Sequence, residues 1–406
     1  MKGYAMSIRH VLVTGMLFLA VFAQAGEHAT GSKITTKHGS TQGEAGMSDT
    51  SEREKKKVKP LGESAAVDLS ALDTLADIIN KAGKKKIVYV GEYHDRFSNH
   101  EVQLEVIKGL HKKNRSIAVG MEMFQRPYQK VLDDFIAGRL YERDFLRKSE
   151  YFKRWRFDYN LYKPILDYCR EHKIPVVALN VRRELTEKVS KKGIDSLSDE
   201  EKKEIPSDMD LSDDKYRKRL KEVFDQHGSR GRGKFDFFFQ AQVLWDESMS
   251  RSVDEFLKRK PGTQMVVLAG GGHLAFGSGI PKRTFRRNGH AYAIILNDVD
   301  IEKDVAHYIV YPESGESVTA PKFGVMLKEN ESAVTISAFA GESVAAEAGL
   351  KRSDRIVAVN GMEVESVADI RIALFYASKG DTLNVKVLRK RFLFGNREME
   401  VAVTMK

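Results

Sequence analysis

Cysteine is nearly absent from this chain of 406 residues, in which Cys169 is the single example. A lone cysteine excludes an intrachain disulfide and a cysteine-rich zinc site. Long hydrophobic runs are also missing, because the longest largely apolar stretch, residues 11–22, falls short of the roughly 20 residues that a membrane helix needs. Neither sign of charge dominates, since 67 Lys and Arg against 57 Asp and Glu leave a net charge of +10. The composition therefore excludes a polytopic membrane protein and argues against nucleic acid as the partner.

The N-terminal residues 1–25 predict a signal peptide. Lys2 and Arg9 supply a positive start, residues 11–22 an apolar segment, and 23–25 (Ala-Gln-Ala) a small-residue cleavage site. No cysteine stands at the cleavage site, so bacterial lipidation is not expected. The product is predicted to be soluble and periplasmic or secreted, and the open alternative is an uncleaved N-terminal anchor. Residues 26–65 have no aromatic and few aliphatic side chains, which predicts a disordered linker.

From residue 66 the pattern changes to short apolar strands that alternate with helices. Strands are predicted at 87–90, 117–119, 174–179, 265–269 and 292–296, and the main helices at 99–113, 159–172 and 235–257. This alternation is typical of an α/β domain with a mainly parallel sheet and flanking helices, predicted here over residues 66–300. A charge-dense stretch at 191–234 interrupts it and predicts a mobile helical insertion or lid.

Polar side chains follow four of these strands at the points where the strands end. They are Glu92, His94, Glu122, Asn180 and His273. Because the carboxyl ends of parallel strands meet at one edge of a sheet, we expect these side chains to converge there. Imidazole and carboxylate groups suit a divalent transition metal such as zinc or manganese, with His94, Glu122 and His273 as ligands. In a hydrolase, Glu92 and Glu122 would be the candidate catalytic carboxylates. The plainer interpretation is that each histidine is a hydrogen-bonded element of the fold.

The same strand ends resemble a known family. Six segments resemble, in their order and spacing, the ChaN-like haem-binding uptake family of the Tiki superfamily. They are 91–95 (Gly-Glu-Tyr-His-Asp), 120–124 (Gly-Met-Glu-Met-Phe), 162–166, 178–180, 242–249 and 270–274 (Gly-Gly-Gly-His-Leu). The resemblance covers about residues 68–297. It implies an exported, haem-binding protein linked to iron uptake, with a tyrosine on the haem iron and a possible homodimer.

Tyr93 is the candidate for that iron ligand, because it lies inside the first motif and a phenolate suits ferric haem. Tyr151 and Tyr159 are alternatives. The superfamily also contains proteins similar to metal-dependent proteases and to erythromycin esterases. A periplasmic metal-dependent peptidase or hydrolase therefore remains open as a second function, and a pure interaction scaffold as a third, because fold alone does not decide function.

A second pattern begins near residue 320. Segment 345–356 (Ala-Ala-Glu-Ala-Gly-Leu-Lys-Arg-Ser-Asp-Arg-Ile) and the Asn-Gly turn at 360–361 resemble a bacterial-type PDZ domain, a small β-barrel with helices, over residues 320–406. The resemblance implies that C-terminal peptides or partner proteins bind by strand addition, with the terminal carboxylate held by Lys322, Phe323, Gly324 and Val325. The alternative is a groove closed by the first domain. Residues 301–319 are predicted to form a linker with an edge strand at 306–311.

Overall fold

The computed structural model describes residues 69–226, 234–313, 315, 319–330, 333–391 and 395–406. The predicted signal peptide (1–25) and the predicted disordered linker (26–65) lie outside these residues. Within the described ranges, none of the helices combines the length and apolar character that a membrane span requires.

Six parallel strands form the central sheet of the first domain. They are β1 (Ile87–Glu92), β2 (Ile117–Gln125), β3 (Val176–Asn180), β4 (Gln264–Gly270), β5 (Tyr292–Asn297) and β6 (Tyr308–Val310). Their order is β3-β2-β4-β1-β5-β6, and every neighbouring pair is parallel. The prediction of an α/β fold with a mainly parallel sheet is confirmed. Strand β6 lies inside the stretch predicted as a linker, where it extends the sheet as an edge strand.

Helices cover both faces of this sheet. They are α1 (Leu75–Ala82), α2 (Phe97–Lys113), α3 (Gln129–Ile136), α4 (Glu142–Lys148), α5 (Tyr151–Arg154), α6 (Lys163–Glu171), α7 (Arg183–Lys192), α8 (Asp199–Glu204), α9 (Asp214–Gln226), α10 (Phe235–Arg259) and α11 (Ile280–Asn288). Local sequence sets several helix starts. Thr74 and Asp77 form a capping box at α1, and Pro164 lies in the first turn of α6.

Side chains of β1 alternate between two hydrophobic cores. Val88 and Val90 point to the first core, which they share with helices α1, α2, α3, α4 and α6. Ile87 and Tyr89 point to the second core, which they share with α10 and α11. This alternation decides which side of the sheet each polar residue after β1 can reach.

Helices α8 and α9 lie within the predicted insertion, residues 191–234. Leu197 and Ile205, on either side of α8, are buried in one cluster with Leu244 of α10. Tyr216 of α9 is buried in another cluster with Phe239 of α10. The described part of the insertion is therefore packed against α10, and the prediction of a mobile lid finds no support there.

The C-terminal domain is an antiparallel sheet with two helices. Its elements are β7 (Val325–Asn330), β8 (Ala333–Phe339), α12 (Val344–Glu347), β9 (Arg355–Val359), β10 (Met362–Glu363), α13 (Val367–Phe375), β11 (Thr382–Arg391) and β12 (Gly395–Thr404). The strand order is β12-β11-β9-β8-β7, and β10 pairs with β9. Strand β7 pairs with β8 alone among the described strands, so its other edge is available for strand addition.

Helix α13 also packs against the first domain. Its Ile372 is 1% exposed and belongs to the first core. The rings of Tyr159 and Phe375 meet edge to face with centroids 5.2 Å apart, and Arg147 lies 2.9 Å from the Asp369 carboxylate. The same helix therefore forms part of both domains' hydrophobic packing.

Candidate functional site

Glu92, the last residue of β1, is a buried carboxylate with partners on both oxygens. Its Oε1 accepts a hydrogen bond from the Tyr162 hydroxyl at 2.8 Å and lies 2.7 Å from Nδ1 of His94. Its Oε2 accepts from Nε2 of Gln103 at 2.8 Å and lies 3.1 Å from Nδ1 of His100. Burial acts to raise the pKa of Glu92, but His100 and His94 outweigh it and hold the pKa well below its usual range. Glu92 is therefore a carboxylate that is held in place, and it orients the ring of His94.

His94 is held on one nitrogen and enclosed by aromatic rings. Its ring centroid lies 4.8 Å from that of Trp155 and 5.0 Å from that of Phe157. Burial acts to lower the pKa of His94, but the hydrogen bond to Glu92 and the charge of Glu122 raise it above its usual value. Because Nδ1 faces Glu92, Nε2 is the nitrogen that faces the rest of the site.

Glu122, on β2, lies beside the turn that follows β4. Its Oε2 accepts a hydrogen bond from the backbone N–H of Gly270 at 2.7 Å, and its Oε1 lies 3.5 Å from Nε2 of His273. A Cβ added at Gly270 would lie 3.1 Å from Nε2 of His94 and 3.7 Å from Oε2 of Glu122. The bare glycine backbone therefore allows His94 and Glu122 to approach each other.

Asn180, at the end of β3, has one satisfied and one unsatisfied polar atom. Its Nδ2 donates to the backbone carbonyl oxygen of Glu122 at 3.1 Å. Its Oδ1 is buried and has no hydrogen-bond partner among the described residues. A buried carbonyl oxygen without a donor is costly, so this atom marks a place where a ligand or water N–H or O–H would be stabilised.

His273 forms a second carboxylate–imidazole pair. Its Nδ1 lies 2.7 Å from Oδ1 of Asp246, and the Tyr216 hydroxyl donates to Oδ2 of the same carboxylate at 2.6 Å. Burial acts to lower the pKa of His273, but Glu122 and Asp246 outweigh it and raise the pKa to about 9. This raised pKa favours the imidazolium form of His273, whose Nε2 faces Glu122.

The structure thus brings the five predicted side chains to one edge of the sheet. All five are buried, namely Glu92, His94, Glu122, Asn180 and His273. Their roles as ligand-binding or catalytic groups stay predictions. Among the described residues, no group of three or more His, Cys, Asp or Glu side chains has the arrangement of a metal site. The prediction that His94, Glu122 and His273 bind a metal therefore gains no direct support from these positions.

Tyr93 lies apart from this cluster. Its ring packs in the second core, and the guanidinium of Arg96 lies 4.0 Å from its centroid. Burial raises the pKa of Tyr93 to about 12, which disfavours the phenolate. The alternatives Tyr151 and Tyr159 are buried in the first core, and burial raises the pKa of each well above its usual value. The roles of the three tyrosines as iron ligands stay predictions.

The predicted peptide-binding loop, residues 322–325, leads into the edge strand β7, whose first residue is Val325. Phe323 is buried, and its carbonyl oxygen accepts from the Ser343 hydroxyl at 3.1 Å. Gly324 has a φ of +73°, and an added Cβ would lie 2.6 Å from the carbonyl oxygen of Glu342. Glycine is therefore required at this position of the loop.

Sequence reasoning missed the residues that orient the two histidines. Asp246 and Tyr216 hold His273, while Tyr162 and Gln103 hold Glu92. One signal was available for Asp246, because it interrupts the apolar face of the long helix α10 and is fully buried. A buried carboxylate needs partners, so its position in a helix pattern indicates a polar site.

The chain thus has two domains, an α/β domain with a parallel sheet and a C-terminal domain with an antiparallel sheet. A family model described as "Haem-binding uptake, Tiki superfamily, ChaN" matches residues 78–284, and a PDZ domain model matches residues 321–404. The chain belongs to the ChaN-like haem-binding uptake family of the Tiki superfamily and carries a C-terminal PDZ domain. The exact domain boundaries, predicted at 66–300, 301–319 and 320–406, stay predictions.

Individual relatives are distant. The chain is 24% identical over 249 residues to Protein RETICULATA-RELATED 5, chloroplastic, from Arabidopsis thaliana, covering 56% of this chain and 32% of that protein. The chain thus spans about a third of the length of this curated relative. A solved structure of cofacial haem binding to ChaN of Campylobacter jejuni is 16% identical, covers 57% of this chain and 89% of its own, and has a TM-score of 0.47. The peptide-bound PDZ domain of a carboxy-terminal protease from Vibrio cholerae is 21% identical, covers 21% of this chain and 94% of its own, and has a TM-score of 0.18.

Proposed function

We propose that this chain is an exported haem-binding protein of iron uptake, that its haem binds at the carboxyl edge of the parallel sheet, and that its PDZ domain recruits a partner polypeptide. The observation that carries the haem proposal is a buried imidazole, His94, at the strand end of a chain that belongs to a haem-binding family. Bound haem would supply a ferric iron, which takes a donor atom from the protein.

The donor set at this edge fits that group. Glu92 lies against Nδ1 of His94 and leaves Nε2 as the nitrogen that would bind the iron. Trp155 and Phe157 beside His94 supply the apolar surface that a porphyrin face needs. His94 would therefore be the residue that binds the haem iron, with Glu122, Asn180 and His273 as the polar surroundings.

Haemin titration of the full chain, followed in the Soret region, tests this assignment. We expect a saturable absorbance change that His94→Ala weakens by at least about tenfold, because an axial donor is lost. Tyr93→Phe is the matched control, since Tyr93 adjoins His94 in sequence but packs in the second core; its affinity should stay within about twofold of wild type. Loss of affinity in Tyr93→Phe alone would return the axial position to Tyr93, and a titration without saturation would remove the haem proposal.

A second candidate is a metal-dependent hydrolase. The observation that favours it is the pair of carboxylate-held imidazoles, His94 and His273, on either side of Glu122. Metal-bound histidines commonly have their second nitrogen held by a carboxylate in this way. His94 and His273 would hold zinc or manganese, which would supply activation of water, and Glu122 is the candidate general base. The unsatisfied Oδ1 of Asn180 would accept a hydrogen bond from a substrate amide.

Hydrolysis of a mixed peptide library by the zinc- or manganese-loaded chain tests this candidate. A hydrolase should lose at least about 100-fold in rate in Glu122→Gln, because the proton acceptor is removed. Glu101→Gln, at an exposed carboxylate, is the matched control and should keep the wild-type rate. Absence of hydrolysis with either metal would exclude the candidate.

The proposals on peptide recognition and export have separate support. The PDZ match, the left-handed Gly324 and the free edge of β7 support binding of an extended C-terminal peptide at residues 322–325. Export is supported by the composition of residues 1–25. N-terminal sequencing of the protein recovered from the periplasm should begin at Gly26. Retention of Met1 would contradict export by cleavage.

A further inference from the structure

A cavity of about 520 Å³ lies between the two domains. Phe152, Phe157 and Leu161 of the first domain form apolar walls, and Leu374 of α13 faces them from the C-terminal domain. Both domains are needed to enclose this space, because α13 is docked on the first core through Ile372.

The cavity lies at one end of the groove between β7 and α13. At the far end, the backbone N–H of Val367, the first residue of α13, donates to the carboxylate of Glu329 near the end of β7 at 2.8 Å. At the near end, Lys322 before β7 and Leu374 in the last turn of α13 both line the cavity. A peptide that adds to β7 with its carboxylate at residues 322–325 would therefore end at the cavity.

Charges around the cavity suit a peptide terminus. Three cations line it, Lys322, Arg156 and Arg371. Two acids, Asp95 and Asp158, also line it, and Asp158 accepts a hydrogen bond from the backbone N–H of Ala320 at 2.8 Å. The lining thus has an excess of positive charge, and a terminal carboxylate complements it.

We propose that this cavity is the terminal pocket of the peptide groove and that both domains build it. An extended peptide would add to β7, place its carboxylate near Lys322 and Arg371, and insert a large apolar last side chain among Phe152, Phe157 and Leu161. This inference rests on the proposed peptide recognition and adds its specificity. Because the rings of Phe157 and His94 are 5.0 Å apart, the peptide end lies one aromatic ring from the candidate haem site.

Fluorescence anisotropy with the full chain provides the first test. The probes are fluorescein-labelled decapeptide mixtures, randomised at nine positions, that end in Phe, Leu, Ala or Asp, each as free acid and as amide. The Phe acid should bind tightest, and its amide at least about tenfold more weakly, because the amide lacks the charge. Arg156→Gln should weaken binding of the peptides that end in Phe as free acid by about five- to twentyfold, because it removes a cation contributed by the first domain. The variant keeps the backbone carbonyl oxygen of residue 156, which accepts a hydrogen bond from Arg371. Arg147→Gln changes the domain contact outside the cavity, so it is the matched control and should bind like wild type.

Photo-crosslinking provides the second test and does not depend on any variant. The probe is the same mixture ending in p-benzoylphenylalanine as the free acid. We expect crosslinks within residues 152–161, mapped by mass spectrometry. Crosslinks confined to residues 320–404, or unchanged affinity in Arg156→Gln, would overturn the two-domain pocket. Peptide recognition by the C-terminal domain would still stand in that case if Gly324→Ala abolishes binding. No binding by any mixture would overturn both the pocket and the proposed peptide recognition.

Discussion

A single methyl group at Gly270 should disturb the candidate site, while the same group one residue later should not. The added Cβ at Gly270 would lie 2.9 Å from Cε1 of His94, whereas at Gly271 the nearest atom is the carbonyl oxygen of Glu92 at 3.8 Å. Ordinary carbon–carbon contacts are about 3.5–4.0 Å, so Gly270→Ala requires a shift of roughly half an ångström or more. His94 has little freedom to shift, because Glu92 holds it at 2.7 Å and Trp155 flanks its ring.

Urea denaturation of the two alanine variants measures this difference. Overpacking of this kind costs about 1–3 kcal/mol, so Gly270→Ala should lower the free energy of unfolding by that amount relative to Gly271→Ala. The comparison cancels the loss of unfolded-chain entropy on replacing glycine by alanine, which is common to both variants. The ring-proton NMR signal of His94 should move in Gly270→Ala alone. Equal stability of the two variants, with an unmoved His94 signal, would refute the close approach of Gly270 to His94.

Three further predictions concern buried groups. The pKa of His273 is raised from 6.5 to about 9, so the free energy of unfolding of the wild type should fall by up to about 3 kcal/mol relative to His273→Gln as the pH rises from about 6.5 to 9. Urea unfolding of both proteins across this pH range measures the difference, and a difference that does not change with pH would contradict the prediction. Ile372→Ala should cost about 2–5 kcal/mol in the same assay, because it opens the core where α13 docks, and a loss under about 0.5 kcal/mol would mean that the helix is not docked. Asp354→Ala should cost about 1.5–3 kcal/mol, because the carboxylate it removes is 1% exposed and accepts charge-assisted hydrogen bonds from Arg389. Glu398→Ala, at an exposed ion pair, should cost under about 1 kcal/mol, and equal losses would contradict the difference in burial.

The convergence of the strand-end residues could be predicted because a parallel sheet leaves few alternatives. The apolar runs of β1 and β4 indicate buried strands, and parallel connections place their carboxyl ends together. Glu92 and Gly270 are in fact register partners across β1 and β4. The alternation of side chains along β1 also predicts which side of the sheet Tyr93 faces. Glu92 points to the same side as Val88 and Val90, and Tyr93 points to the opposite side. The role of Tyr93 as iron ligand, which was inferred from the motif, stays a prediction.

The partners of His273 could not be predicted in the same way. Asp246 and Tyr216 lie on helices α10 and α9, and their pairing depends on how these helices dock, which helical periodicity does not specify. The docking of the C-terminal domain did have a signal. Helix α13 has apolar residues on more than one face, including Ile370 and Ile372, and both are buried, one in each domain's core. A helix that is apolar all round is expected to be covered on more than one side.

The absorption spectrum and the metal content of one sample of full chain, purified from the periplasm after growth with haemin, decide whether this chain binds haem. Haem binding predicts a Soret band with iron bound in a fixed ratio to protein, and loss of both in His94→Ala. A colourless protein that carries stoichiometric zinc or manganese, or no metal at all, would contradict haem binding at the carboxyl edge of the sheet.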